Sequence, residues 1–134
     1  MPESTQPLYF AYGSNLDEAD WLAFCTRQGA EARPLYFVST AVLPDMTLAF
    51  DYYSTGRAGG VLDVVPRIGH VVQGVIFRPD AATWALLDAK EGAPHCYRRT
   101  ARTAILPSGE TVAVQTYEVV PARRQAHTPP DPAY

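Results

Sequence analysis

Residues 8 to 16 read LYFAYGSNL, a stretch that sets two phenols, a hydroxyl and an amide around one glycine. An aromatic, apolar run that breaks on Gly-Ser-Asn and resumes with acids and spaced apolar residues reads as a strand turning straight into a helix. Two roles are open for that turn. It is a capped corner, with Ser14 or Asn15 as N-cap and Asn15 to Glu18 at capping-box spacing. Or its free N–H groups and the positive helix end seat a carboxylate or phosphate, with Gly13 letting the ligand close on the backbone. Ser14 lacks the surroundings of an activated nucleophile, since neither GxSxG nor a Walker lysine is present.

Elsewhere the reactive residue types are scattered. Glu91 falls just before Gly92 at the end of a helical pattern, where an acid is mildly disfavoured by the helix dipole. His95 and Cys96 are adjacent, and neighbours on an extended chain point to opposite faces, so they do not form a thiol–base pair. Cys25 and Cys96 form no CxxC, and His70 and His127 have no ligand spacing, so no metal site and no disulfide are expected, and both thiols are expected to be buried. Arg98 and Arg99 should face opposite sides of a strand, one free to pair with an acid and the other to meet a carboxylate.

The elements that must position these residues follow from periodicity and punctuation. Residues 1–7 read as a loose leader, and 8–134 as one domain. A strand at 8–12 is followed by a helix over 17–28 that Gly29 ends. Strands are expected at 35–43, 46–53, 61–65 and 70–77, with LPD and STGRAGG as turns and Gly74 at a bulge or a close backbone approach. The stretch RPDAATWALLDAKEG changes period. Asp80 caps a helix whose buried face is Trp84 and Leu87 with Ala81, Gly92 closes it, and Asp88 is expected to be exposed. Strands at 97–106 and 111–120 form a hairpin through PSGE. The order is α+β, with a mixed or antiparallel sheet able to close into a small β-barrel flanked by two helices.

Bulk properties narrow the partners. At 134 residues the chain can bury a core without staples. With 14 acids against 11 bases, a net charge of -3 and no basic cluster larger than a pair, the electrostatic footprint of a nucleic-acid binder is missing. No apolar run approaches a membrane span and the start MPESTQP is not a signal peptide, so no membrane partner and a cytoplasmic location are expected.

Taken together, YFAYGSNL, AGGVLDV at 58–64, GVIFRPD at 74–80, LLDAKEG at 86–92 leading into YRR, and the final PPDPAY resemble the gamma-glutamyl cyclotransferase-like family in order and spacing, over nearly the whole chain. The resemblance implies a small β-barrel with flanking helices and an enzyme, without cofactor, that cyclises an N-terminal γ-glutamyl group to 5-oxoproline and a free amine. It implies Glu91 as general acid and base. It implies a glutamyl-holding loop of Tyr12, Gly13, Ser14, Asn15 and Leu16 and, through PPDPAY, a substrate-facing Tyr134; Tyr9 and Tyr97 are the aromatic residues expected beside Glu91 at that site. Such chemistry needs no metal. The α-amine attacks its own γ-carbonyl through a five-membered ring, and effective molarities of ~10⁵ M or more make holding the chain bent much of the task. A proton shuttle is the remaining requirement. The expected partner is a small γ-glutamyl compound of glutathione-type metabolism, with a homodimer left open. Two alternatives stand beside this reading: a non-catalytic module of the same fold that binds a small carboxylate, and a cyclotransferase acting on a larger γ-glutamyl-capped substrate.

Overall fold

The computed structural model describes residues 6–31, 34–54, 59–125 and 127–131. Five strands close a barrel: β1 (Tyr9–Ala11), β2 (Phe37–Ser54), β3 (Gly59–Phe77), β4 (Tyr97–Ile105) and β5 (Thr111–Val119), in the order β1-β3-β2-β4-β5. β1 pairs antiparallel with β3 and parallel with β5, at Tyr9 opposite Gln115, so the sheet is mixed and the ring is complete. Two helices, α1 (Glu18–Arg27) and α2 (Ala81–Glu91), flank it. This is the α+β barrel with two helices expected from the sequence.

β1 has no solvent face. Phe10 points into the barrel interior with Leu43, Val64, Ile76 and Val114, while Tyr9 and Ala11 face a second apolar layer that includes Trp21, Trp84 and Tyr117 beneath the helices. A strand covered on both sides must be apolar throughout, which is why the opening run does not alternate. Gly74 on β3 lies against it: a Cβ there would meet the Ala11 carbonyl oxygen and the Phe10 ring at 2.4 Å. The close approach anticipated at Gly74 is what the strand pairing requires.

Both helices end as their sequences indicate. Asp80 Oδ1 accepts from the Thr83 N–H at 2.8 Å, and Gly92 takes the left-handed conformation at φ 64°. Gly29, at φ 68°, follows the end of α1. The buried face of α2 is Thr83, Trp84 and Leu87; Ala81 is exposed, correcting its expected place on that face. Asp88 is half-buried rather than exposed. It receives Arg99 Nε at 2.9 Å and the Tyr117 hydroxyl at 2.6 Å, tying α2 to β4 and β5.

The expected four middle strands are two long ones. At LPD the ladder jumps from Pro44 opposite Val71 to Met46 opposite Pro66, so residues 67–70 oppose Asp45 alone. Asp45 sits at φ 56° and its carboxylate accepts from the Gly69 N–H at 2.9 Å. An aspartate that tolerates this conformation and bonds the opposite backbone makes a bulge, and the strand resumes instead of turning. Residues 55–58 of the expected STGRAGG turn and residues 1–5 of the expected leader lie outside the described residues. Pro7 is tied down, its carbonyl accepting from the Trp84 indole N–H at 3.1 Å. Among the described residues, no helix is long and apolar enough to cross a membrane.

Candidate active site

The corner after β1 is a short 3₁₀ turn, Ser14–Leu16, closed by the Leu16 N–H on the Gly13 carbonyl at 3.0 Å. The α1 cap falls after this turn. Asp17 caps the helix, its Oδ1 accepting from the Asp20 N–H at 3.2 Å, which corrects the assignment of the cap to Ser14 or Asn15. The shift has a chemical consequence. Relieved of capping, the Asn15 side chain turns inward and is buried.

There it makes three contacts. Asn15 Nδ2 donates to the Tyr9 hydroxyl at 2.8 Å and to Glu91 Oε1 at 3.0 Å, and Oδ1 accepts from the Lys90 ammonium at 2.5 Å. An ammonium only donates and a carboxylate only accepts, so the orientation of the amide is set by its partners. Lys90 also pairs with Asp20 of α1 at 2.9 Å. Glu91, the last residue of α2, is thereby held against the corner that follows β1.

These groups line a cavity of about 700 Å³ between the two helices and the barrel end. Of the site residues expected from sequence, Glu91, Tyr9, Tyr12, Gly13, Asn15 and Tyr97 line it. Leu16 does not. Its side chain is 45% exposed and its N–H is taken by Gly13, because the 3₁₀ turn directs it outward. The Ser14 backbone lies in the turn, but its side chain is outside the described part, as is Tyr134. Neither Arg98 nor Arg99 reaches the cavity. Arg98 is exposed, and Arg99 pairs with Asp88 while its guanidinium stacks 4.4 Å over Trp84. Cys25 is buried as expected, whereas Cys96 is only half-buried and borders the cavity, with His95 exposed beside it.

The phenols are walls more than acids. Burial, reinforced by the Glu91 charge, pushes the Tyr9 hydroxyl well above the usual tyrosine range, against the opposing effect of the Asn15 hydrogen bond. Burial does the same to Tyr12, helped by neighbouring Tyr97, Asp63 and Glu91. Both remain protonated at neutral pH. Tyr12 donates to the Tyr117 carbonyl at 2.5 Å and Tyr97 to the Leu62 carbonyl at 2.6 Å, so each braces one side of the cavity to a strand. A carboxylate at the wall of a cavity lined by buried phenols that stay neutral suits proton transfer. Sequence reasoning did not find Lys90, Asp20, Phe24 or Arg27 at the site. Only the position of Lys90 beside Glu91 was a signal, and a lysine at a helix end ordinarily reaches into water.

The sequence matches the family described as gamma-glutamyl cyclotransferase, AIG2-like, over residues 9–133. The chain belongs to this family. Among solved structures it is similar to a gamma-glutamyl cyclotransferase, at 25% identity and a TM-score of 0.77, covering 95% of this chain and 72% of that one. It is also similar to an uncharacterized protein of Homo sapiens, loc79017, at 26% identity and a TM-score of 0.75, covering 96% and 73%. An aig2-like protein of Mus musculus shares the fold at 19% identity and a TM-score of 0.60, covering 87% and 81%. Comparison with curated proteins gives no match. Family and fold together point to gamma-glutamyl cyclotransferase-like activity.

Proposed function

We propose that the protein cyclises a small γ-glutamyl amine or γ-glutamyl amino acid to 5-oxoproline, with Glu91 as general acid and base. The observation that carries the reading is Glu91 Oε1 held 3.0 Å from Asn15 Nδ2 at the wall of the cavity, in a chain of this family. The glutamyl group sits in the corner formed by Tyr12, Gly13 and Asn15. Glu91 takes a proton from the substrate ammonium, which frees the nitrogen lone pair. That nitrogen forms a bond to the γ-carbonyl carbon, and the developing oxyanion is met by N–H donors of the corner. As the bond from that carbon to the leaving nitrogen breaks, Glu91 returns the proton to the leaving nitrogen. The second proton lost by the ring nitrogen also ends on the released amine, which departs as an ammonium. No covalent intermediate on the protein is formed. The expected setting is the cytoplasm.

Incubating the protein with a panel of γ-glutamyl amino acids, γ-glutamyl alkylamines and bulkier γ-glutamyl conjugates, and measuring 5-oxoproline, tests the reading. Release from at least one supports it, and the best leaving amine places the substrate class. No release from any, with calorimetry showing that a glutamyl ligand binds, would replace the enzyme by a binding module.

A further inference from the structure

We propose that Lys90 is a positioning residue for Glu91, acting through the Asn15 amide, and that Asp20 is the counter-ion that tunes it. The catalytic consequence rests on the cyclotransferase reading; the electrostatic coupling does not. Lys90 and Glu91 are consecutive on the last turn of α2, so their side chains leave the helix roughly 100° apart. The Lys90 side chain nevertheless does not extend into water. It is 9% exposed and paired with Asp20 Oδ2 at 2.9 Å, and its ammonium lies 2.5 Å from Asn15 Oδ1. Burying an ammonium is costly unless its donors are used, and here the acceptors come from two other segments of the fold.

The cation does more than satisfy itself. It compels the oxygen of the Asn15 amide to face it, which turns both amide hydrogens to the Tyr9 hydroxyl and Glu91 Oε1, at 2.8 and 3.0 Å. Without it Oδ1 has no donor opposite, and the Glu91 carboxylate alone is left to hold the amide against a flip that would set Oδ1 against it. Lys90 thus favours the ionised form of Glu91 twice, by its charge across one amide group and by fixing the donor that Glu91 receives. Asp20 opposes the first effect by neutralising that charge. Other titratable groups bordering the cavity are the Tyr9 and Tyr12 phenols on the β1 side, Arg27 on α1, Tyr52 on β2, Cys96 before β4, Tyr97 at its start and Tyr117 on β5. At neutral pH the buried Tyr9 and Tyr12 phenols are uncharged, so among the described residues that border the cavity Asp20, Arg27 and Lys90 supply the charge around Glu91, with Asp63, which acts on Tyr12, behind them.

The test follows the Glu91 carboxyl carbon by NMR in protein labelled at glutamate, with the resonance assigned by its loss in Glu91→Gln. Titrations are compared for wild type, Lys90→Met, Lys90→Arg and Asp20→Asn. The midpoint is expected to move up by about half a pH unit or more in Lys90→Met, as for loss of a nearby cation. It should stay near wild type in Lys90→Arg and move down in Asp20→Asn. A merely structural role would not give opposite signs. Lys90→Met and Asp20→Asn moving together, or neither moving, overturns the proposal. If Lys90→Met does not fold, the sign in Asp20→Asn decides: downward supports the coupling, and unchanged or upward overturns it. In a protein that releases 5-oxoproline, the acid limb of kcat/KM should shift the same way in each variant. NMR shifts of the expected signs in a protein that releases none would refute the cyclotransferase reading and leave the coupling standing.

Discussion

Replacing Glu91 by Gln isolates proton transfer from every other contribution of the site. The amide has nearly the shape of the carboxylate, and its oxygen accepts the Asn15 Nδ2 hydrogen that Glu91 Oε1 receives at 3.0 Å, so the chain through Lys90 to Asp20 is kept. What is lost is the ability to take and return a proton. General acid–base catalysis contributes about 10²–10⁴-fold, equivalent to roughly 3–6 kcal/mol of barrier at about 1.4 kcal/mol per tenfold. The structure argues for the upper half of that range, because among the described residues the phenols and the carboxylate nearest Glu91 are unsuited to substitute. Burial keeps the Tyr9 and Tyr12 phenols protonated, and the Asp20 carboxylate is engaged by Lys90. Binding and stability should be nearly unchanged, stability within about 0.5 kcal/mol. The assay is 5-oxoproline release under saturating substrate, with calorimetric binding and thermal unfolding on the same preparation. A folded variant that turns over within threefold of wild type would refute Glu91 as the proton shuttle. Loss of binding together with turnover would assign Glu91 to anchoring the substrate ammonium.

Three further outcomes are expected. Gly74→Ala forces a Cβ to 2.4 Å from Ala11 O and the Phe10 ring, so it should destabilise the fold by about 1–3 kcal/mol and lower activity through β1; an unchanged denaturation midpoint would contradict that packing. Burial, then the hydrogen bond and charge of Asp63, push the Asp51 carboxyl up to about 7, opposed by Arg124. Its folded value lies above its unfolded one, so its contribution to stability is full below about pH 4 and is lost as pH rises through about 7. Asp51→Asn should flatten that fall in melting temperature between pH 4 and 8, and a slope like that of wild type would refute the assignment. Arg27 borders the cavity with its guanidinium 5.9 Å from the Phe24 ring centre and no carboxylate partner among the described residues. Arg27→Gln should therefore raise KM severalfold for γ-glutamyl amino acids, whose leaving group carries a carboxylate, and leave γ-glutamyl alkylamines unaffected; equal changes for both would remove Arg27 from leaving-group recognition.

Several parts of this protein were legible along the chain because a few adjacent residues decide them. Asp80 and Gly92 mark the ends of α2 by satisfying backbone groups within one turn. The hairpin of β4 and β5 needs only two extended runs and the glycine of PSGE, which takes φ 90° at Gly109. LPD misled for a related reason: the same residues serve a turn or a bulge, and what selects the bulge is Gly69, 24 residues away, whose N–H the Asp45 carboxylate accepts. Asp88 looked exposed because its partners Arg99 and Tyr117 come from later strands.

The site divides along the same line. The sequence by itself determined that a strand-to-helix corner carries Tyr12, Gly13 and Asn15, and that an acid stands at the end of the second helix; these depend on local propensity and on motifs read in order. Only the tertiary structure decided that the two meet. Asn15 and Glu91 are 76 residues apart, and their contact exists because β1 is inserted between β3 and β5 with both faces covered, while Asp88 ties α2 to β4 and β5. The moved cap is a second decision of this kind. Asp17 took the helix end, Asn15 was left to bond Lys90, Tyr9 and Glu91, and no spacing in the chain distinguishes an asparagine that caps a helix from one that orients a carboxylate. The difference lies in partners that closure of the barrel alone brings within hydrogen-bonding distance.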